Sequence, residues 1–254
     1  MKKLTTAGVL ATLGLLGLPV MLGIASAQEV PPECGPPGDE RPVTIQGAGL
    51  ILGTDGNDVI GGSPGRDVIL AGAGDDYICG NGGDDLIIGG DGNDVVIGGP
   101  FDAPPFVEQG SRDVLIGGEG DDLMAGLGGP DVILGQDGDD ELIGMGGPDR
   151  VIGGDGDDTA YGGPHDDLVL GGDGDDNLFG NYGADNVQGG AGSDYVNGDN
   201  PNVDGPPEEE LPFPTNQGPD SCSGGPGADT VVNCENVSDG SDPGGPGPPP
   251  LPQL

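Results

Sequence analysis

Tryptophan is absent from this 254-residue chain, lysine occurs only at Lys2 and Lys3, and His165 is the single histidine. Four Tyr and four Phe make up the whole aromatic complement. So few large apolar side chains exclude a conventional globular core. One histidine excludes an H-E-x-x-H zinc site, and a His-based triad would have to be built on His165 alone. No C-x-x-C pair is present, so the cysteines do not read as a zinc site either. No enzyme module has room here, and the chain is expected to be non-catalytic.

Positive charge is as scarce. Six Lys and Arg face 45 Asp and Glu, for a formal net charge of −39. Nucleic acid and anionic membranes are poor partners for such a field, whereas divalent cations are natural ones. No helical hydrophobic stripe runs through the glycine-rich stretches, and each helical glycine costs about 1 kcal/mol. Collagen fails as well, because glycine does not recur at every third residue.

What the chain does have is glycine, aspartate and a period. Gly (58) and Pro (26) make up about a third of the residues, a composition that without order reads as disorder. From Gly53 to Val232, however, the frame G-G-x-G-x-D-x-U-x (U apolar) recurs with two insertions. Its sixth position is always aspartate: Asp58, Asp67, Asp76, Asp85, Asp94, Asp113, Asp122, Asp131, Asp140, Asp149, Asp158, Asp167, Asp176, Asp185, Asp194, Asp220 and Asp229. A carboxylate at one fixed phase, bracketed by glycines, points to a hard cation such as calcium. The Glu208–Glu210 run, in an insertion, reads as simple solvation.

The two halves of the nonamer do different jobs. The glycine half turns, since glycine accepts positive φ and lets carbonyls approach a shared ion. The x-U-x half is a three-residue strand with one apolar side chain directed inward, from Ile60 and Ile69 to Cys222 and Val231. Two nonamers make a coil of 18 residues, and the expected fold is all-β: a right-handed parallel β-roll (β-solenoid) with two short parallel sheets face to face. About eight coils give a roll on the order of 40 Å long.

Residues 1–27 read as a signal peptide, with Lys2 and Lys3, the apolar Ala7 to Ile24, and the small-residue site Ala25-Ser26-Ala27. Cleavage would leave a secreted, extracellular chain with no membrane segment. Residues 28–42 form a Pro-rich linker, 43–237 the β-roll, and 238–254 a disordered Pro/Gly-rich tail. Insertions fall near 101–110 and 199–217, and Val43 to Leu52 is a degenerate repeat suited to capping the roll. Four cysteines in an exported chain favour disulfides. Cys222 with Cys234 is the favoured pair, which leaves Cys34 with Cys79; spacing alone permits three connectivities.

Copies such as Gly89-Gly90-Asp91-Gly92-Asn93-Asp94-Val95-Val96-Ile97 and Gly153-Gly154-Asp155-Gly156-Asp157-Asp158 resemble the RTX, or hemolysin-type, calcium-binding repeats. The resemblance implies calcium between the turns of successive coils. Its ligands would be turn carbonyls plus sixth-position carboxylates two repeats apart, such as Asp76 with Asp94 or Asp140 with Asp158. Aspartates at the third and fifth positions, such as Asp91, Asp155 and Asp157, would add field and only occasionally ligate. Seventeen repeats joined to their next-but-one neighbours give at most about 15 calcium sites. Without the ions, stacked carboxylates repel by about 1–4 kcal/mol per pair, so folding is expected to require calcium. The pattern breaks where His165 and Ser111 replace the fourth-position glycine and Ala71 the first. His165 reads as a weakened repeat that keeps the left-handed turn.

Outward strand positions of even-numbered repeats are mainly aliphatic: Val68, Leu70, Leu86, Ile88, Val114, Ile116, Val132, Leu134, Ile152, Leu168 and Leu170. The expected function is a secreted, calcium-binding structural or adhesive protein of the cell exterior. The alternative is a calcium-stiffened module that docks a second copy, a secreted enzyme or a surface polymer through that apolar face.

Overall fold

The computed structural model describes residues 43–99, 110–199, 219–234 and 236–237. The expected leader, linker and tail, and nearly all of both insertions, lie outside the described residues. Among the described residues every regular element is a strand, and every strand pairing is parallel. The strands form two ten-stranded sheets, and successive strands alternate between them.

One sheet stacks Ile45–Gln46, Val59–Gly61, Tyr77–Cys79, Val95–Ile97, Leu123–Gly128, Glu141–Gly146, Thr159–Pro164, Asn177–Tyr182, Tyr195–Asp199 and Thr230–Val232. The other stacks Leu50–Leu52, Val68–Ala73, Leu86–Asp91, Val114–Glu119, Val132–Asp137, Arg150–Asp155, Leu168–Asp173, Asn186–Ala191, Ser221–Ser223 and Asn236–Val237. We call these the odd and even sheets, after the repeats that supply them. The architecture is the parallel β-roll expected from the period.

The core is one residue wide on each side. Ile60, Ile78, Val96, Met124, Leu142, Ala160, Leu178 and Val196 line the odd sheet. Ile69, Ile87, Leu115, Ile133, Val151, Val169 and Val187 line the even sheet, and all fifteen are fully buried. Each large member contributes about 1.5–3 kcal/mol of burial, so the core grows linearly with coil number.

Several details differ from the sequence expectation. Most strands run six residues rather than three, as in Val68–Ala73 and Arg150–Asp155. Pairing continues past the U position into the glycines, for example Gly154↔Gly172. Val43 to Leu52 is not one repeat in one sheet: Ile45 pairs with Ile60 in the odd sheet and Ile51 with Ile69 in the even. A shortened turn at Gly47–Gly49 makes this first step 15 residues rather than 18. The same step recurs at the far end, where Val237 pairs with Cys222. These short end coils raise the count to ten strands per sheet, above the eight coils anticipated.

The insertions leave no mark on the register. Leu86 pairs directly with Val114 and Val95 with Leu123 across the first, and Tyr195 with Thr230 across the second.

A Cys222–Cys234 disulfide closes the C-terminal end. Cys222 occupies a U position inside the core, and Cys234 packs against it with Val231. Cys79 is also disulfide-bonded; its expected partner Cys34 lies outside the described residues.

Candidate metal centre

Strand alternation sends the sixth-position aspartate inward along with the U residue and the following glycine, at two-residue steps. Fifteen of the seventeen aspartates are therefore at most 4% exposed. Asp58 and Asp229, near the two ends, are half-buried.

Each carboxylate reaches back to the coil before it. The amide of Asp76 donates to Oδ1 of Asp94 at 2.8 Å, that of Asp140 to Asp158 at 2.9 Å, and that of Asp149 to Asp167 at 2.8 Å. One such ladder runs along each turn edge, Asp58 to Asp229 on one and Gly49, then Asp67 to Asp220, on the other. Both cross the insertions unbroken, through Asp85 to Asp113, Asp94 to Asp122 and Asp185 to Asp220. The structure thus brings together the pairs two repeats apart that the resemblance implies.

The second oxygen is a different matter. Oδ2 of Asp76, Asp85, Asp94, Asp122, Asp131, Asp140, Asp149, Asp158, Asp167, Asp176 and Asp194 is buried with no hydrogen-bond donor. Leaving a buried charged oxygen unmatched is costly, and a bound cation is the partner that would remove the cost. Burial raises these carboxyls well above the usual range: Asp94, Asp140, Asp176 and Asp194 to about 6, Asp122, Asp149 and Asp158 to about 7. Asp85 reaches about 8, Asp131 about 9 and Asp167 about 10. Desolvation dominates in every case. The amide of the preceding aspartate opposes it, and for Asp85, Asp131 and Asp167 stacked carboxylates add to it.

Glycine makes room for these groups at two kinds of position. A Cβ on Gly153 would lie 2.0 Å from Asp158 Oδ2, so the first-position glycine is set by the carboxylate of its own repeat. Gly156, at the fourth position, has φ +135° and its missing Cβ would meet Gly138 O at 2.1 Å. Carbonyl oxygens of one turn thus face the turn stacked on it. Among the described residues no three acidic, His or Cys side chains converge on a point. A cation here would have one or two carboxylates and the turn carbonyls within reach, a donor set that suits calcium.

The breaks in the motif have local explanations. His165 holds φ 106° in place of glycine, so the turn survives as expected. Ala71 tucks its methyl into the core. Ser111 Oγ donates to Asp113 Oδ2 at 2.9 Å.

A second ladder was not foreseen. At the fifth position of odd repeats, Asn57, Asp75, Asn93, Asp121, Asp139, Asp157 and Asp175 each accept the amide of the next coil's fifth residue, at 2.8–3.2 Å. These residues are exposed and run in the opposite sense to the buried ladder. The signal lay in the alternation, since even repeats carry Arg66, Pro130 and Pro148 at this position. Proline has no amide to donate, so the even edge keeps only fragments, such as Arg112 to Asp84.

Stacked parallel turns lined by buried, unmatched carboxylates define a cation-binding β-roll. A family model of the RTX calcium-binding nonapeptide repeat matches residues 52–87, 80–102, 110–133, 116–151, 134–169, 143–178 and 170–200, more than half of the chain. The chain belongs to this family and is a calcium-binding repeat protein. Comparison with curated proteins finds no match.

Proposed function

We propose that this is an exported protein that folds on binding many calcium ions and then serves as a rigid structural or adhesive element outside the cell, without catalysis. The observation that carries the reading is the run of buried carboxylate oxygens lacking a donor. The sixth-position aspartates, Asp58 through Asp229, are the proposed ligand set, with turn carbonyls completing each shell and an upper bound of about 15 ions. When bound, calcium supplies the positive charge that lets the carboxylates stack. The chain's own residues supply the pocket: the amide of one aspartate fixes Oδ1 of the next, and glycine clears the space around Oδ2.

Charge and cysteine usage support the same setting. A net charge of −39 opposes compaction where calcium is scarce, and disulfides at Cys222–Cys234 and Cys79 suit an oxidising compartment. In this reading residues 1–27 are a removed leader, 28–42 a linker, 43–237 the roll and 238–254 a tail. Far-UV circular dichroism in EDTA and then millimolar calcium tests it. A chain that is disordered first and β-rich afterwards is expected; full β-structure in EDTA at neutral pH overturns it.

A second reading rests on the outer face of the even sheet. Leu50, Leu52 and Leu70 stand exposed there, and Leu86, Ile88, Val114, Ile116, Val132 and Leu134 continue the strip half-buried. Calcium would stiffen this face for docking a second copy or another surface component. Light scattering in calcium, on the chain with and without Ile116→Lys, distinguishes a self-associating face from an inert one.

A further inference from the structure

The first nine-residue turn on each edge of the roll differs from those that follow it. In the regular turns the second residue holds positive φ, whether glycine, as at Gly90 and Gly154, or not, as at Gln136 and Met145. Thr54 and Ser63 occupy that position in the first two turns and are not among the positive-φ residues. A β-branched threonine resists that conformation, which costs most side chains of its shape dearly.

The change of backbone redirects donors into the turn. Thr54 gives both its amide and its Oγ1 hydroxyl to Asp58 Oδ2, each at 2.8 Å. Ser63 gives its amide to Asp67 Oδ2 at 2.6 Å, and the Gly49 amide takes Asp67 Oδ1 at 2.5 Å. The hydroxyl oxygens also brace their own turns, Thr54 Oγ1 accepting the Gly56 amide and Ser63 Oγ the Gly65 amide. At Asp76, Asp94 and Asp140 in later turns the same oxygen is buried without any donor, while at Asp113 it takes only the rotatable hydroxyl of Ser111 and no amide of its own turn.

We infer that the turns Gly53–Asp58 and Gly62–Asp67 hold no calcium and are closed instead by Thr54 and Ser63. At Asp58 an N–H and an O–H, and at Asp67 one N–H fixed by the backbone, point at Oδ2, occupy directions a cation needs and repel it with their positive ends. The N-terminal coil is thereby a metal-independent platform on which the calcium-dependent coils stack. The inference rests on the calcium reading above and lowers its ceiling from about 15 ions to about 13.

Native mass spectrometry of the full, oxidised chain titrated with calcium tests this by counting bound ions. The double variant Asp58→Asn with Asp67→Asn is expected to bind as many ions as the parent. Thr54→Gly with Ser63→Gly restores the regular motif and is expected to bind up to two more. A lower count in the Asn pair overturns the inference. If that pair fails to fold, the Gly pair decides, and an unchanged count there overturns it equally. Asp140→Asn with Asp158→Asn is the control; if it loses no ion, the calcium reading of the regular turns fails rather than this one.

Discussion

The backbone amide of Asp140 donates to Oδ1 of Asp158, 2.9 Å away and a full coil later in the chain. One carboxylate oxygen thereby ties two coils together, while its twin is buried without a donor and belongs to the proposed ligand set. The two roles are separable by substitution. Asp158→Asn keeps an acceptor for the amide and removes the charge, so its calcium midpoint should rise with little loss of stability once saturated. Asp158→Ala removes both, and should cost a further 1.5–3 kcal/mol or about that even at saturating calcium. Thermal unfolding across a calcium series separates the two effects.

Acid should substitute for calcium. Ten of the buried aspartates, among them Asp140, Asp131 and Asp167, have folded-state values of about 6 to about 10, above the unfolded value near 4. Their protonated forms therefore favour the fold. The stability of the cation-free roll is fully present below about pH 4 and is lost as pH rises through the 6–10 window. In EDTA, β-structure is expected at pH 4 and not at pH 8. Calcium affinity should run the other way and rise with pH, since ligation needs the carboxylate. Circular dichroism and calcium titration at the two pH values check both signs, and a cation-free roll that is more ordered at pH 8 would refute the account.

Gly156→Ala is a sharper test of the turn than any surface change. The new methyl meets Gly138 O at 2.1 Å in a backbone with φ +135°. A loss of at least about 2 kcal/mol is expected, together with a higher calcium midpoint. An exposed control such as Asp157→Ser, which retains an acceptor for the Asp175 amide, should stay within about 0.5 kcal/mol. Unchanged unfolding of Gly156→Ala would show that the turn relaxes more freely than its packing suggests.

Reduction should loosen the C-terminal end first. Cys222 is a core residue, and its bond to Cys234 spans a separation of 12 residues. Removing that closure costs about 2–3 kcal/mol in the chain-entropy view. Hydrogen exchange after Cys222→Ala with Cys234→Ala should rise at Ser221–Ser223 and Thr230–Val232, with Val132–Asp137 protected as before. Uniform acceleration along the chain would instead mean that the coils unfold as one unit.

Much of this was readable from spacing. An 18-residue coil, one apolar residue per repeat and an invariant aspartate are enough to place Ile69 beside Ile87 and Asp140 beside Asp158. His165 could be assigned a left-handed turn because the glycine it replaces already had that duty. The inward course of the aspartate was harder to see, since a carboxylate at a turn is ordinarily solvated. The two-residue alternation that buries it becomes evident only once strands such as Arg150–Asp155 extend into the glycines. Thr54 and Ser63 carry no signal in the spacing; what they do depends on where an amide points, which spacing does not encode. The short end coils at Ile45 and Val237 lie outside the period altogether.

The ladders that pass from Asp85 to Asp113 and from Asp185 to Asp220 without a gap also bear on how such a chain can change over time. Whatever leaves the roll at a turn and returns at the same phase is invisible to the coils on either side. Material can be gained or dropped there in any amount, and paired nonamers can be duplicated or excised in 18-residue blocks, with no central core to repack. Length is thus a freely adjustable trait, and the cross-section is the part held constant.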